Sequence, residues 1–201
     1  MSMDEFEYEN TKCRVLVNSG RSNPLILLHG YSFTIDVWRE INLITYLESK
    51  NVPYIALDMP YGLKSKCSSK NMDPEFNVSI VEYVYRKYGF DMEPIILGAS
   101  LGGYIALRYA LKYPTLGLIL IAPVRTSEEQ FRKLQETDMP ILVIYGTNDK
   151  IVTLNELQDF VSGFKNGRLK IYEGAGHPAY LDKPEMFKED VYSFYNEITQ
   201  G

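Results

Sequence analysis

Residues 94–104 read Pro94-Ile95-Ile96-Leu97-Gly98-Ala99-Ser100-Leu101-Gly102-Gly103-Tyr104. A short apolar run ends at Leu97, and a helical pattern, Tyr104-Ile105-Ala106-Leu107-Arg108-Tyr109-Ala110, follows. One serine sits between them with glycines on both sides. A sharp turn from strand into helix strains the residue at its apex and crowds its neighbours. Gly98 and Gly102 remove side chains that would collide there. The Ser100 hydroxyl is thereby lifted clear of a strand end and set at a helix N-terminus. There the N–H of Leu101 and the helix dipole favour developing negative charge.

Outward from this turn the chain alternates between two periodicities. Residues 13–17, 24–28, 52–57, 94–97, 116–122, 139–145 and 168–173 are predicted strands. Several are apolar at nearly every position, as parallel strands covered on both faces are. Residues 35–50, 73–89, 101–113, 153–164 and 183–199 are predicted helices. Trp38, Ile41, Ile44 and Leu47 form one stripe, and Phe187, Val191, Phe194 and Ile198 another. Asp73 is placed as an N-cap with Pro74 at the first helical position. The alternation predicts an α/β fold, a mostly parallel central sheet with helices on both faces. The N-terminal strand, around 6–17, has no helix before the next strand and is expected antiparallel at an edge. No repeat, low-complexity stretch or linker divides the chain, so 1–201 reads as a single domain.

A net charge of −5 argues against nucleic acid as the main partner, since phosphate binding draws on a dense basic surface. No apolar stretch approaches a membrane span, and the acidic N-terminus is not a secretory signal. Cys13 and Cys67 form neither a disulfide framework nor a zinc signature. The expectation is a reduced, cytoplasmic protein. Lys64, Lys66 and Lys70 read as a solvated loop, with an anionic-substrate site as the alternative.

A nucleophilic serine needs a base, and the chain has two histidines. His29 closes the strand 24–28 and reads as structural. His177 follows the last strand, in a loop that can bring an imidazole onto Ser100. The base needs an orienting carboxylate. Asp138 precedes its strand, Asp159 lies in a helical pattern, and Asp182 turns toward the final helix. Asp149, just past the strand that ends at Gly146, remains. The second oxyanion donor is expected after His29-Gly30, at the backbone N–H of Tyr31. Gly30 and Tyr180 are pocket candidates beside these loops.

Four signatures therefore stand in order: His29-Gly30, Gly98-Ala99-Ser100-Leu101-Gly102, Gly146 with Asp149, and Gly176-His177. With them the sequence resembles the α/β-hydrolase fold superfamily over nearly its whole length, and in particular its compact, capless esterases. The resemblance implies a serine hydrolase with Ser100, Asp149 and His177 as triad, and Tyr31 and Leu101 as oxyanion donors. It implies no metal and no cofactor. Two features depart from the pattern. Many relatives carry Asp-x-Pro-Gly-x-Gly-x-Ser where this chain reads Asp58-Met59-Pro60-Tyr61-Gly62-Leu63-Lys64-Ser65. Larger relatives insert a cap domain where residues 125–138 have room for one helix.

The expected function is hydrolysis of a small or short-chain carboxylic ester through a Ser100 acyl-enzyme. Thioester hydrolysis or acyl transfer uses the same residues. A non-catalytic, partner-binding protein on the same scaffold is the third reading. Substrate choice is expected to rest on loops 31–38, 59–75, 124–138 and 178–182.

Overall fold

In the computed structural model, which describes residues 3–200, the uninterrupted apolar runs form the centre of one sheet. β1 (Asp4–Tyr8) and β2 (Thr11–Asn18) come first, then β3 (Leu25–Leu28) and β4 (Tyr54–Leu57). β5 (Ile95–Ala99), β6 (Gly117–Ile121), β7 (Ile141–Gly146) and β8 (Gly167–Tyr172) follow. Every residue of β3 through β7 is buried. The order across the sheet is β1-β2-β4-β3-β5-β6-β7-β8; the pairings of β2 with β1 and with β4 are antiparallel and the others parallel. The expected single N-terminal strand is instead a hairpin. Glu9 and Asn10 turn it with φ of 45° and 64°, the geometry of a tight two-residue reversal. No glycine marks that turn, so the sequence pattern reads straight through it.

The predicted helix 35–50 is also two elements, α1 (Val37–Glu40) and α2 (Leu43–Ser49). Asn42 breaks it in the left-handed region, at φ 57°, which asparagine tolerates. Trp38, Ile41, Ile44 and Leu47 are all buried nonetheless, because the apolar spacing selects the buried side whether or not the helix continues. α3 (Pro74–Lys87) starts as expected: the Asp73 carboxylate accepts from the Glu75 N–H at 3.0 Å. α4 (Leu101–Ala110) runs directly from Ser100. Between β6 and β7 lie only a 3₁₀ turn (Glu129–Phe131) and the one-turn α5 (Arg132–Gln135), in place of a cap. α6 (Leu154–Ser162), α7 (Ala179–Asp182) and α8 (Pro184–Gln200) complete the chain.

Alternate residues of each central strand face opposite layers. Ile26, Leu28 and Ile96 pack against α3, α4 and α6. Leu25, Leu27 and Ile95 pack against α1, α2 and α8. Ser100 stands at the carboxyl edge of this double-sided core.

Cys13 and Cys67 are joined as a disulfide, which corrects the expectation of two reduced thiols. β2 lies beside β4, and the chain leaving β4 turns back along β2. Ser68 N–H donates to the Lys12 carbonyl at 2.8 Å, and Lys12 N–H to the Ser68 hydroxyl at 2.9 Å. This pairing brings residues 54 apart in sequence to a Cα separation of 4.2 Å. Among the described residues, no helix is long and apolar enough to cross a membrane.

Candidate active site

Ser100 has φ 52° and ψ −110°, a region that L-residues rarely occupy. Its N–H donates to the Ile121 carbonyl at 2.8 Å, tying the strained turn to β6. The flanking glycines answer two different approaches. A Cβ on Gly98 would lie 2.4 Å from the Gly102 carbonyl oxygen, inside the turn itself. A Cβ on Gly102 would lie 2.4 Å from the Leu28 carbonyl oxygen, at the end of the neighbouring strand.

The two loops after β7 and β8 are fastened to each other. A Cβ on Gly146 would sit 2.3 Å from the Gly176 carbonyl oxygen, so the histidine loop lies directly on the end of β7. Asn148 N–H donates to the Ala175 carbonyl at 2.8 Å. Asp182 accepts from Gly176 N–H at 2.7 Å and braces the same loop from α7. Asp182 therefore supports the histidine from one side, a role the sequence did not reveal. His177 Nδ1 lies 2.7 Å from Asp149 Oδ2, and its Nε2 lies 2.8 Å from Ser100 Oγ. The other Asp149 oxygen accepts from the N–H groups of Ile151 and Val152 at 2.7 and 3.0 Å. The carboxylate is thus fully occupied and aimed. Asp138 pairs with Lys165 at 2.9 Å, away from these loops.

His29 is enclosed elsewhere. Its Nδ1 lies 2.8 Å from the Gly30 carbonyl, and its Nε2 accepts from Met59 N–H at 2.9 Å. That pattern requires the neutral ring protonated on Nδ1. Burial holds its pKa below the ordinary value in spite of nearby Asp58. The departure at 58–65 also has a structural content. Tyr61 fills a buried position and donates its hydroxyl to the His29 carbonyl at 2.5 Å. A Cβ on Gly62 would meet His29 Cε1 at 2.6 Å.

The segment that carries Tyr31 is anchored from below. Asp58 accepts from Ile35 N–H at 2.9 Å and from Arg14 Nε at 2.7 Å. The same guanidinium reaches Asp36 at 2.9 and 3.2 Å. Leu63 N–H donates to the Tyr31 carbonyl at 2.7 Å. Among the described residues, neither the Tyr31 N–H nor the Leu101 N–H has a protein acceptor. Arg14 gave no sequence signal, because its two partners lie 22 and 44 residues away.

The model of the α/β hydrolase fold family matches residues 23–137 and 123–184, most of the chain. The chain belongs to the α/β-hydrolase fold family. Among curated relatives of this α/β hydrolase, the zebrafish (Danio rerio) "Protein ABHD14A" is 27% identical over 177 residues, 87% of this chain and 64% of that protein. The chain thus spans somewhat less than two thirds of that relative. The Homo sapiens protein named "Putative protein-lysine deacylase ABHD14B" is 26% identical over 189 residues, 89% of this chain and 86% of that one. The solved structure described as a "predicted CIB-like hydrolase from Thermoplasma acidophilum" superposes with a TM-score of 0.86 at 24% identity, covering 98% of both chains. At that identity the likeness speaks for the fold alone.

Ser100 and His177 open onto a pocket of about 180 Å³, bordered also by Gly30, Tyr31, Phe33, Ile121, Ile151, Pro178 and Tyr180. Its volume lies below the roughly 300–1,000 Å³ of drug-sized ligand sites. Gly30 and Tyr180 both border this cavity. Phe33 and Ile151 were not singled out. Loops 59–75 and 124–138 do not border the pocket: the first folds back onto β2, and the second packs against α6 around a separate, more polar depression. Lys64 and Lys66 are exposed. Lys70 is exposed as well, but its ammonium donates to the Gly62 carbonyl at 2.7 Å and the Ser65 hydroxyl at 2.9 Å, so it braces its own loop. Among the described residues, no group of His, Cys, Asp and Glu side chains is arranged to hold a metal ion.

Proposed function

We propose that this protein is a serine acyl hydrolase that cleaves a carboxylic ester of a small or short-chain acyl group. The observation that carries the reading is the unbroken chain from Ser100 Oγ to His177 Nε2 at 2.8 Å and from His177 Nδ1 to Asp149 at 2.7 Å. Ser100 Oγ attacks the acyl carbonyl while His177 Nε2 takes its proton. Asp149 keeps the proton of the imidazole on Nδ1 and stabilises the imidazolium. The N–H groups of Tyr31 and Leu101 receive the oxyanion, with the α4 dipole behind Leu101. His177 returns the proton to the leaving alcohol, and water then releases the acid by the same route. The small pocket volume supports a short acyl chain.

A second reading follows from similarity to the protein named "Putative protein-lysine deacylase ABHD14B". It is hydrolysis of an Nε-acyl-lysine amide, with the same attack and an amine as leaving group.

Intact-mass labelling with a fluorophosphonate tests the shared step. One adduct is expected on the wild type and none on Ser100→Ala. Absence of an adduct on folded wild-type protein overturns both readings. A matched panel of ester, thioester and Nε-acetyl-lysine peptide then separates them. Ser100→Ala is expected to lower kcat on the order of a million-fold on the cleaved member.

A further inference from the structure

Tyr180 lies three residues after His177, in α7, and borders the pocket that holds Ser100. It is 1% exposed. Three rings fix it, with centroids at 5.3 Å for Trp38, 5.7 Å for Phe187 and 6.1 Å for Phe33. Among the described residues its hydroxyl has no hydrogen-bond partner. That is unusual for a buried tyrosine. In this same protein Tyr61, Tyr109 and Tyr172 each donate to an acceptor, respectively the His29 carbonyl, Glu82 and Asp190. Nor is the Tyr180 oxygen sealed away from all contact. The open space beside the residue is the pocket, whose neighbouring walls, Phe33, Ala99, Ile121 and Pro178, are apolar. Burial pushes the phenol far above its usual range, so the group stays a protonated donor.

We propose that the Tyr180 hydroxyl is the selectivity group of the acyl pocket, donating a hydrogen bond to an oxygen carried on the acyl chain. The preferred substrates are then oxo- or hydroxyacyl compounds in place of plain alkanoyl ones. A plain alkyl chain would strip solvent from this donor and offer it no acceptor, and buried polar groups left unpaired are what lets a site reject such an analogue. The assignment rests on the acyl-hydrolase reading for its substrate and on the orphaned hydroxyl for its residue.

Tyr180→Phe removes one oxygen and no protein hydrogen bond, so the fold and Tm are expected to stay unchanged. The test compares ethyl 3-oxobutanoate with ethyl butanoate in two ways. In turnover, the ratio of their kcat/KM values is expected to fall about tenfold in Tyr180→Phe, the oxo ester losing its hydrogen bond and the butanoate gaining because no hydroxyl is left unpaired beside it. In binding, Ser100→Ala and Ser100→Ala/Tyr180→Phe are titrated with both esters by protein NMR. The double variant is expected to bind the oxo ester more weakly and the butanoate more tightly, so that the ratio of the two affinities falls about tenfold. An unchanged contrast, equal losses for both esters, or no measurable binding of either ester overturns the assignment of Tyr180. If neither ester is turned over but the binding contrast appears, the Tyr180 assignment stands and the hydrolase reading falls.

Discussion

His29 and His177 are the same residue type put to opposite uses by their surroundings. His177 has a carboxylate on one nitrogen and a hydroxyl on the other, in contact with a pocket. His29 is sealed, with a carbonyl on one nitrogen and a backbone N–H donating to the other. A proton added to its Nε2 would displace the Met59 hydrogen bond and place a buried charge. Its folded pKa is therefore held below the ordinary 6.5, with burial as the largest cause. Below 6.5 the unfolded chain takes up this proton and the folded one resists it. Stability is thus fully present above 6.5 and declines as pH falls toward the depressed folded value. The carboxylates whose pKa is lowered, such as Asp36 and Glu75, have ordinary values of 3.8 and 4.5 and act further down. His29→Gln is expected to cost about 1–2 kcal/mol at neutral pH. It should also flatten the decline as pH falls below 6.5, as read from denaturant melts at each pH. An unaltered slope would mean that other groups carry it. The sequence could tell these histidines apart, because one ends a strand and the other follows a glycine in a loop.

At the scale of elements, the site is made where strand ends touch. Gly98, Gly102 and Gly146 each permit a backbone approach that a methyl group would forbid. Gly146→Ala would push its Cβ into the carbonyls of Ala175 and Gly176 and move the loop that bears His177. The labelling rate at Ser100 is expected to drop about 100-fold, the effect of roughly an ångström of misplacement. A labelling rate equal to wild type would show that the loop can yield without moving the ring. The segment that carries Tyr31 depends likewise on Arg14, which spans Asp58 and Asp36 from β2. Arg14→Met leaves Asp58 buried without its partner, and removing one member of such a pair typically costs about 3–5 kcal/mol. A chemical denaturation curve checks that loss. Strand positions and the α3 start were legible here, because continuous apolar runs and the Asp73-Pro74 pair act locally. The breaks at Glu9-Asn10 and Asn42 were not, because a left-handed residue interrupts the chain without disturbing the apolar spacing.

For the molecule as a whole, the β1–β2 hairpin is attached to the parallel sheet both by pairing with β4 and by the Cys13–Cys67 bond. A crosslink over a separation of 54 residues restricts the unfolded chain by about 4 kcal/mol in the loop-entropy description. Reduction with dithiothreitol is expected to lower Tm by about 10 °C for a chain of this size. Thermal melts with and without reductant, with thiols counted by alkylation and mass, check it. An equal Tm with two free thiols confirmed would show that the hairpin holds by pairing alone. The sequence by itself determined the layered sheet, the buried strands and the positions of Ser100, Asp149 and His177 just past strand ends. Those features are written in local periodicity and in glycines placed at strand ends. Only the tertiary structure decided the disulfide, the Arg14 anchor, the Asp182 brace and the orphaned Tyr180 hydroxyl. Each depends on distances between residues far apart in the chain, and no spacing along a sequence encodes which distant side chains will meet.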